Sequence, residues 1–415
     1  MGVTAYTLVF GGLMVFGGRL ADAFGARRVL LAGLALFTVA SLVCGLAASG
    51  GLLIAARAAQ GAGAALMSPA ALSIITTTFH GAERNRALGV WAAIGGTGAA
   101  VGVLVSGLLT AGPGWEWVFF VNVPVGVLVA AAVPGRVPAD RVGERQRVDV
   151  PGALLVTLAT GLLIHGLVNA GDGGWGGVGT LVPAAAAVAG YVVFVVVESR
   201  VRVPLMRPST LARRPVVSGA FLMVVATGLL LGLFFLTSLY FQHVRGFSPL
   251  KTGLIFLPVA IAITVGAQVA AHLISRVGGR PIATASLLLT AVGALLLSGI
   301  SPDGNVYTEV LPGFLLAALG IGPAFVTATT TTLANVPHGE AGVASGVVNT
   351  CHELGGSIGV AVVSTVAAAG LASTSDVDGF AGAYLVCGIA AAVAALVAVV
   401  LVPAGRPRAV TGHGH

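Results

Sequence analysis

The stretch Gly17–Arg28, GGRLADAFGARR, decides how this 415-residue chain is read. It sets three glycines, one acid and three arginines between two apolar runs. So short a charged segment between long apolar ones reads as a hairpin turn at a membrane face. Its arginines select the face, and its glycines allow helices to approach closely.

Working outward, the composition agrees. Hydrophobic residues make up 57% of the chain and charged residues only 8%, against about 25% charged in soluble domains. The apolar runs are long enough for a bilayer, where about 20 residues cross ~30 Å of hydrocarbon. Thirteen spans are expected, near 2–17, 29–48, 52–79, 87–111, 118–134, 150–169, 179–197, 215–240, 251–274, 282–300, 309–333, 342–367 and 381–403. The fold class is therefore an all-α polytopic membrane protein, with no stretch that reads as a soluble domain.

The loops between these spans alternate in charge. Of the 21 Lys and Arg residues, 18 fall in one set of loops and the tail, only Arg245 and Lys251 fall in the other, and Arg57 lies inside a span. Basic loops stay in the cytoplasm. The split supports the span count, puts the C-terminus inside, and removes nucleic acid as a partner despite the net charge of +7. Trp115, Trp117 and Trp175 lie in charge-poor loops, where interfacial anchoring is expected. Cys44, Cys351 and Cys387 fall in apolar runs, without metal-ligand spacing and without the setting for disulfides. The first span covers about 24 Å at 1.5 Å per residue, and the alternation puts its start outside. One N-terminal helix is therefore expected to be missing, through a misassigned start or a truncation.

A weak internal repeat supports two halves. Phe24-Gly25-Ala26-Arg27-Arg28 resembles Val277-Gly278-Gly279-Arg280-Pro281, each on the basic side between consecutive spans. Repeated halves are a common build for secondary transporters, with the site near the midplane.

Gly18-Arg19-Leu20-Ala21-Asp22-Ala23-Phe24-Gly25-Ala26-Arg27-Arg28 resembles the signature G-x-L-a-D-r-x-G-r-[RK] of the major facilitator superfamily, departing at Ala23 and Ala26. Arg57-Ala58-Ala59-Gln60-Gly61 resembles the family's R-x-x-Q-G element. The stretch from Trp115 to Gly126, WEWVFFVNVPVG, resembles the W-x-W-x-F-x-x-N-x-P-x-G segment of its fourteen-helix drug/proton antiporter branch. The resemblance implies two helix bundles around a central cavity: an N-terminal bundle over 1–134, two inserted helices over 150–197, a C-terminal six-helix bundle over 215–403, and a cytoplasmic tail over 404–415. It also implies a gating role for Gly18, Asp22, Gly25, Arg27 and Arg28.

Several residues stand out on physical grounds. Arg57 lies inside a span, with Gln60, Gly61 and Ala64 on its face at i+3, i+4 and i+7. Glu353 is the acid placed deepest, with Asn349, His352 and Gly356 at i−4, i−1 and i+3. A carboxylate there is costly and is a functional candidate by default. Arg57, Gln60, Asn349, His352 and Glu353 are thus candidates for proton coupling or substrate contact. Snorkelling of Arg57 and an interhelical structural role for Glu353 are the alternatives. Gly95, Gly98, Gly102 and Ser106 give small-xxx-small spacing for helix packing. The proline that the antiporter element carries after its glycine is Val103 here. Gly322-Pro323 should bend its helix as a hinge or a static kink, since proline removes a backbone donor.

No G-x-x-x-x-G-K-[ST] loop, nucleophile–base pair or metal cluster occurs. An enzyme is not indicated, and no cofactor beyond a proton gradient is expected. With the family resemblance, the reading is proton-coupled export of lipophilic small molecules (drug or antibiotic efflux) by alternating access, by a monomer in the cell membrane. The second reading, from another class, is a non-transporting remnant or a membrane sensor.

Overall fold

The computed structural model describes residues 2–139, 149–201, 208–301, 304–333, 336, 341–371 and 377–405. Among these there are helices and no strands. The N-terminal part holds α1 (Gly2–Phe24), α2 (Ala26–Gly45), α3 (Gly50–Thr78), α4 (Gly81–Ala111), α5 (Trp117–Phe120) and α6 (Asn122–Arg136). Next come α7 (Val150–Gly173), α8 (Val178–Glu198) and the short α9 (Pro208–Leu211). The C-terminal part holds α10 (Arg214–Leu239), α11 (Pro249–Val277), α12 (Gly279–Leu297), α13 (Leu311–Leu333), α14 (Ala341–Leu371) and α15 (Asp378–Leu401). A π-turn, Tyr240–Val244, extends α10, and another, Val306–Val310, leads into α13.

All thirteen expected spans fall on helices, with α5 and α6 together making the fifth. Among the described residues, twelve segments are long and apolar enough to cross a membrane, and α4 carries the remaining expected span. The protein is a multi-span helical membrane protein. Large apolar side chains such as Leu128, Val178 and Val400 stand exposed, as a surface solvated by lipid requires.

One expectation needs correction. Gly17–Arg28 is not a loop. The helix α1 continues through Arg19 and Asp22 to Phe24, and only Gly25 separates it from α2. The residues that looked like a turn are the last two turns of a helix whose polar groups find protein partners, so nothing forces the chain out of helical conformation. Arg19 is buried. Gly25 makes the break at φ +99°, a backbone region that side chains with a Cβ rarely enter.

The repeat is visible in three dimensions. Gly278 separates α11 from α12 at φ +85°, as Gly25 separates α1 from α2. Two residues beyond each glycine, an arginine binds the carbonyl that ends a distant helix. Arg27 donates to Val137 O at 3.1 Å, beyond α6, and Arg280 donates to Val402 O at 2.8 Å, beyond α15. A cation suits the negative end of a helix, so each arginine clamps its loop to the last helix of its own half.

Helices α1, α2 and α3 pack together with α6 alongside α2, and α10 through α15 form a second group. The two groups meet where α1 lies on α14 and α4 on α11, while α7 packs on α8 and also touches α1 and α14. Rather than sitting within the first group, α4 packs chiefly on α11 and only lightly on α3.

Candidate functional site

At the arginine-rich end, Asp22 crosses from α1 to the first turn of α14. Its Oδ1 accepts from the Gly342 N–H at 2.7 Å and its Oδ2 from the Val343 N–H at 2.9 Å. These are orphan donors at a helix start, and an anion there also meets the positive end of the helix dipole. The backbones come together at the same place. A Cβ on Gly18 would collide with the Gly342 carbonyl, and one on Gly346 would stand 2.6 Å from Met14 O. On α4, a Cβ at Gly89 would stand 2.8 Å from Ala271 Cβ of α11. Both inter-group helix pairs are thus closed at the arginine-rich end. Of the five residues expected to gate, Asp22 and Gly18 form the contact between α1 and α14 where a lock is proposed, Gly25 makes the helix break, and Arg27 binds the carbonyl beyond α6. Arg28 is exposed.

Toward the other end, α1, α3 and α14 bring polar groups together inside the span. The guanidinium of Arg57 lies 4.3 Å from the Tyr6 ring centre and 5.7 Å from that of Phe119, both cation–π range. Its NH1 donates to Gln60 Oε1 at 2.6 Å, and Gln60 Nε2 donates to Ser41 Oγ at 2.6 Å on α2. Gln60 is buried, so Arg57 is held within the protein rather than directed at headgroups alone. Tyr6 lies within electrostatic reach of both Arg57 and Glu353. Glu353 faces α1 at Gly11, where a Cβ would stand 3.3 Å from its own Cβ and would run into Ile164 of α7. Gly11 therefore makes the room in which the carboxylate stem sits.

Replacing Gln60 with Leu should lower the protein's stability by about 1–2 kcal/mol, because it leaves the Arg57 guanidinium without this acceptor and the Ser41 hydroxyl without this donor inside the membrane. The midpoint of thermal unfolding in detergent measures this, and an unchanged midpoint would contradict the structural weight given to Gln60.

The model of the Major Facilitator Superfamily matches residues 1–360. This chain belongs to that superfamily. It is 40% identical over 399 residues to the puromycin resistance protein pur8 of Streptomyces alboniger, covering 92% of this chain and 79% of that one. It is 39% identical to the cephamycin export protein CmcT of Amycolatopsis lactamdurans, over 89% and 77% of the two chains. Among solved structures, the human organic anion transporter MFSD10 superposes with a TM-score of 0.69 at 16% identity, over 96% of this chain and 82% of that one. The proton:xylose symporter XylE gives 0.67 at 16% identity, over 98% and 86%. These two likenesses establish the fold.

Within that fold the other candidates separate. Asn349 Oδ1 accepts from Ser68 Oγ of α3 at 3.1 Å, and its Nδ2 donates to Ser345 O at 2.9 Å. It thus joins the two groups of helices one turn from Glu353. His352 does not stand with Glu353. A neighbour at i−1 is turned about 100° away at 3.6 residues per turn. Its Nδ1 pairs with Thr227 Oγ1 of α10 at 3.0 Å, and its ring lies tilted against that of Phe325, with centres 5.7 Å apart. Gly356 also looks toward α10, at Leu231.

The glycine row of α4 differs from the expected packing seam. A Cβ at Gly98 or Gly102 would meet no atom within 4 Å, so these positions front open space rather than a close helix among the described residues. The surroundings of Gly95 lie outside the described residues. Pro323 sits inside an unbroken α13. A Cβ at Gly322 would stand 2.8 Å from Ala267 N of α11, so close helix contact already accounts for that glycine. Sequence reading did not find Tyr6, Ser41, Ser68 or Thr227. A lone tyrosine near a span end reads as an interfacial anchor, and only the tertiary pairing with Arg57 distinguishes it. Among the described residues no three metal-ligating side chains come together.

Proposed function

We propose that this chain exports lipophilic small molecules, antibiotics among them, by alternating access driven by proton entry. Membership of the superfamily, with resistance and export proteins at 40% and 39% identity over most of the chain, carries the reading. Two helix bundles, 1–134 and 215–403, would rock about a central path, with the pair 150–197 inserted beside them. The basic loops and the C-terminus would face the cytoplasm.

The geometry supports the cycle. Both inter-bundle pairs are shut at the basic end, as expected of a conformation closed to the cytoplasm. Glu353 would carry the proton, facing Gly11 of α1 across the bundle boundary with Tyr6 within electrostatic reach. Charge movement at that boundary would bias which end opens, since a ligand shifts a conformational equilibrium only through differential interaction with the two states.

Expression of the chain in a bacterial host lacking its own major pumps should lower steady-state accumulation of at least one dye or antibiotic at least twofold, and collapsing the proton gradient should restore it. Unchanged accumulation across a broad lipophilic panel would overturn the proposal.

A further inference from the structure

A cavity of about 310 Å³ is walled by the inserted helices α7 and α8 against α1 and α14. Its wall on α14 runs from Val343 to Leu354, on α8 from Tyr191 to Val195, and on α7 from Val156 to Thr160, with Leu211 of α9 closing one end. Each of these stretches lies in the half of its helix toward the arginine-rich end, so the cavity sits in that leaflet, reaching the depth of Glu353. Val195 is half exposed and marks the lipid-facing rim. The back wall is the glycine-mediated contact of α14 with α1, where Gly346 meets Met14 and Val15.

The lining is almost wholly apolar, with one feature out of place. Thr350 is 7% exposed, lines the cavity, and its buried Oγ1 has no hydrogen-bond partner. A buried hydroxyl without a partner is costly, a cost that Thr327, Thr329 and Thr332 on α13 avoid by bonding back to their own helix at 2.8–2.9 Å. The nearby hydroxyls of Thr160 and Tyr191 satisfy each other at 2.8 Å. Thr350 therefore offers one polar contact in an apolar chamber whose volume is at the low end of the ~300–1,000 Å³ typical of small-molecule sites.

We infer that this side cavity is a binding site for a compact, neutral, lipophilic compound bearing a hydrogen-bonding oxygen, drawn from the leaflet on the arginine-rich side. An acyl tail would fill the apolar space and leave Thr350 unanswered; a ketone, ether or hydroxyl compound satisfies both. The site also touches the lock, because Val343 lines the cavity through its side chain while its N–H is held by Asp22. Occupancy is read without transport, so this inference stands or falls apart from the export reading.

Benzophenone is a suitable probe, being neutral and lipophilic with one carbonyl acceptor that is also its photoreactive group. The full chain in liposomes is irradiated with benzophenone and adducts are mapped by peptide mass spectrometry, beside a parallel sample containing a phospholipid with a diazirine on its acyl chain. Adducts are expected in 343–354 and 191–195, falling at least fivefold in Thr350→Val, which keeps the side-chain shape, and in Val156→Trp, which fills the chamber. Adducts elsewhere should persist, and unfolding midpoints near that of the parent chain confirm that both variants fold. Benzophenone adducts missing from these segments, or undiminished in Thr350→Val, would overturn the inference. So would labelling of the chamber by the acyl probe alone, which would make it a seat for bilayer lipid.

Discussion

Glu353→Gln should reduce proton-driven export to below a tenth of the parent rate while leaving compound binding within about threefold. The residue stands twelve positions into α14 from Ala341, about 18 Å along its axis at 1.5 Å per residue, and so near the middle of ~30 Å of hydrocarbon. A charged carboxylate at that depth is expensive, and a glutamine there keeps the shape and hydrogen-bonding capacity but exchanges no proton. Gly11 supplies space for either side chain, so packing alone predicts little change. If the residue is merely a bond between helices, Gln substitutes for it and export survives. If it carries the proton, the gradient ceases to drive transport while exchange of compound across the membrane without a gradient continues. Everted vesicles reporting both modes separate the two outcomes. Full proton-driven export by Glu353→Gln would remove Glu353 from the coupling scheme. Glu353→Asp, which retains a titratable group on a shorter stem, should keep part of the activity.

The contrast between Glu353 and His352 shows how far sequence alone reaches. Spans were legible because hydrocarbon imposes one rule on every one of them: backbone groups must pair internally, so long apolar runs become helices. The charged loops then fixed the count and the alternation. Glu353, as a deep carboxylate, was legible for the same reason. What α14 presents to each neighbour was not, because a helix offers every direction to something, and only packing decides what. Thus Asn349 meets α3 through Ser68, His352 meets α10 through Thr227, and Glu353 meets α1 at Gly11. The glycines divided in the same way. Gly18 is small because the Gly342 backbone lies against it, whereas Gly98 faces open space; their spacing in sequence carries no sign of the difference. Gly17–Arg28 was misjudged as a turn because polar residues at a membrane face look like a loop until their partners are known. Asp22 finds its partners 320 and 321 residues away, beyond any local pattern.

Asp22→Ala should lower export at least tenfold and open the arginine-rich end. The carboxylate accepts two backbone N–H groups at the start of α14, each a charge-assisted bond of about 1.5–3 kcal/mol, with up to ~2 kcal/mol more from the helix dipole in a partly buried setting. Removing it leaves two donors unsatisfied in the closed state only, since in an opened state water reaches them. The substitution therefore penalises one conformation rather than the fold, and a difference of about 2.7 kcal/mol would change the ratio of closed to open roughly a hundredfold. Asp22→Asn retains one acceptor oxygen and loses the charge, so it should fall between Ala and the parent. Gly18→Val tests the same equilibrium without touching the carboxylate, because its new side chain has no room against the Gly342 carbonyl and must push α1 from α14. If the lock is a conformational device, both variants expose the same surface, and a cysteine introduced at Val15, buried in the parent at 6% beside Gly346 of α14, becomes accessible to a membrane-impermeant maleimide in both. If Asp22 serves only to start α14, Asp22→Ala lowers the unfolding midpoint while Val15→Cys stays protected. Parent-like export by Asp22→Ala, with protection unchanged, would show that the contact between α1 and α14 closes without it.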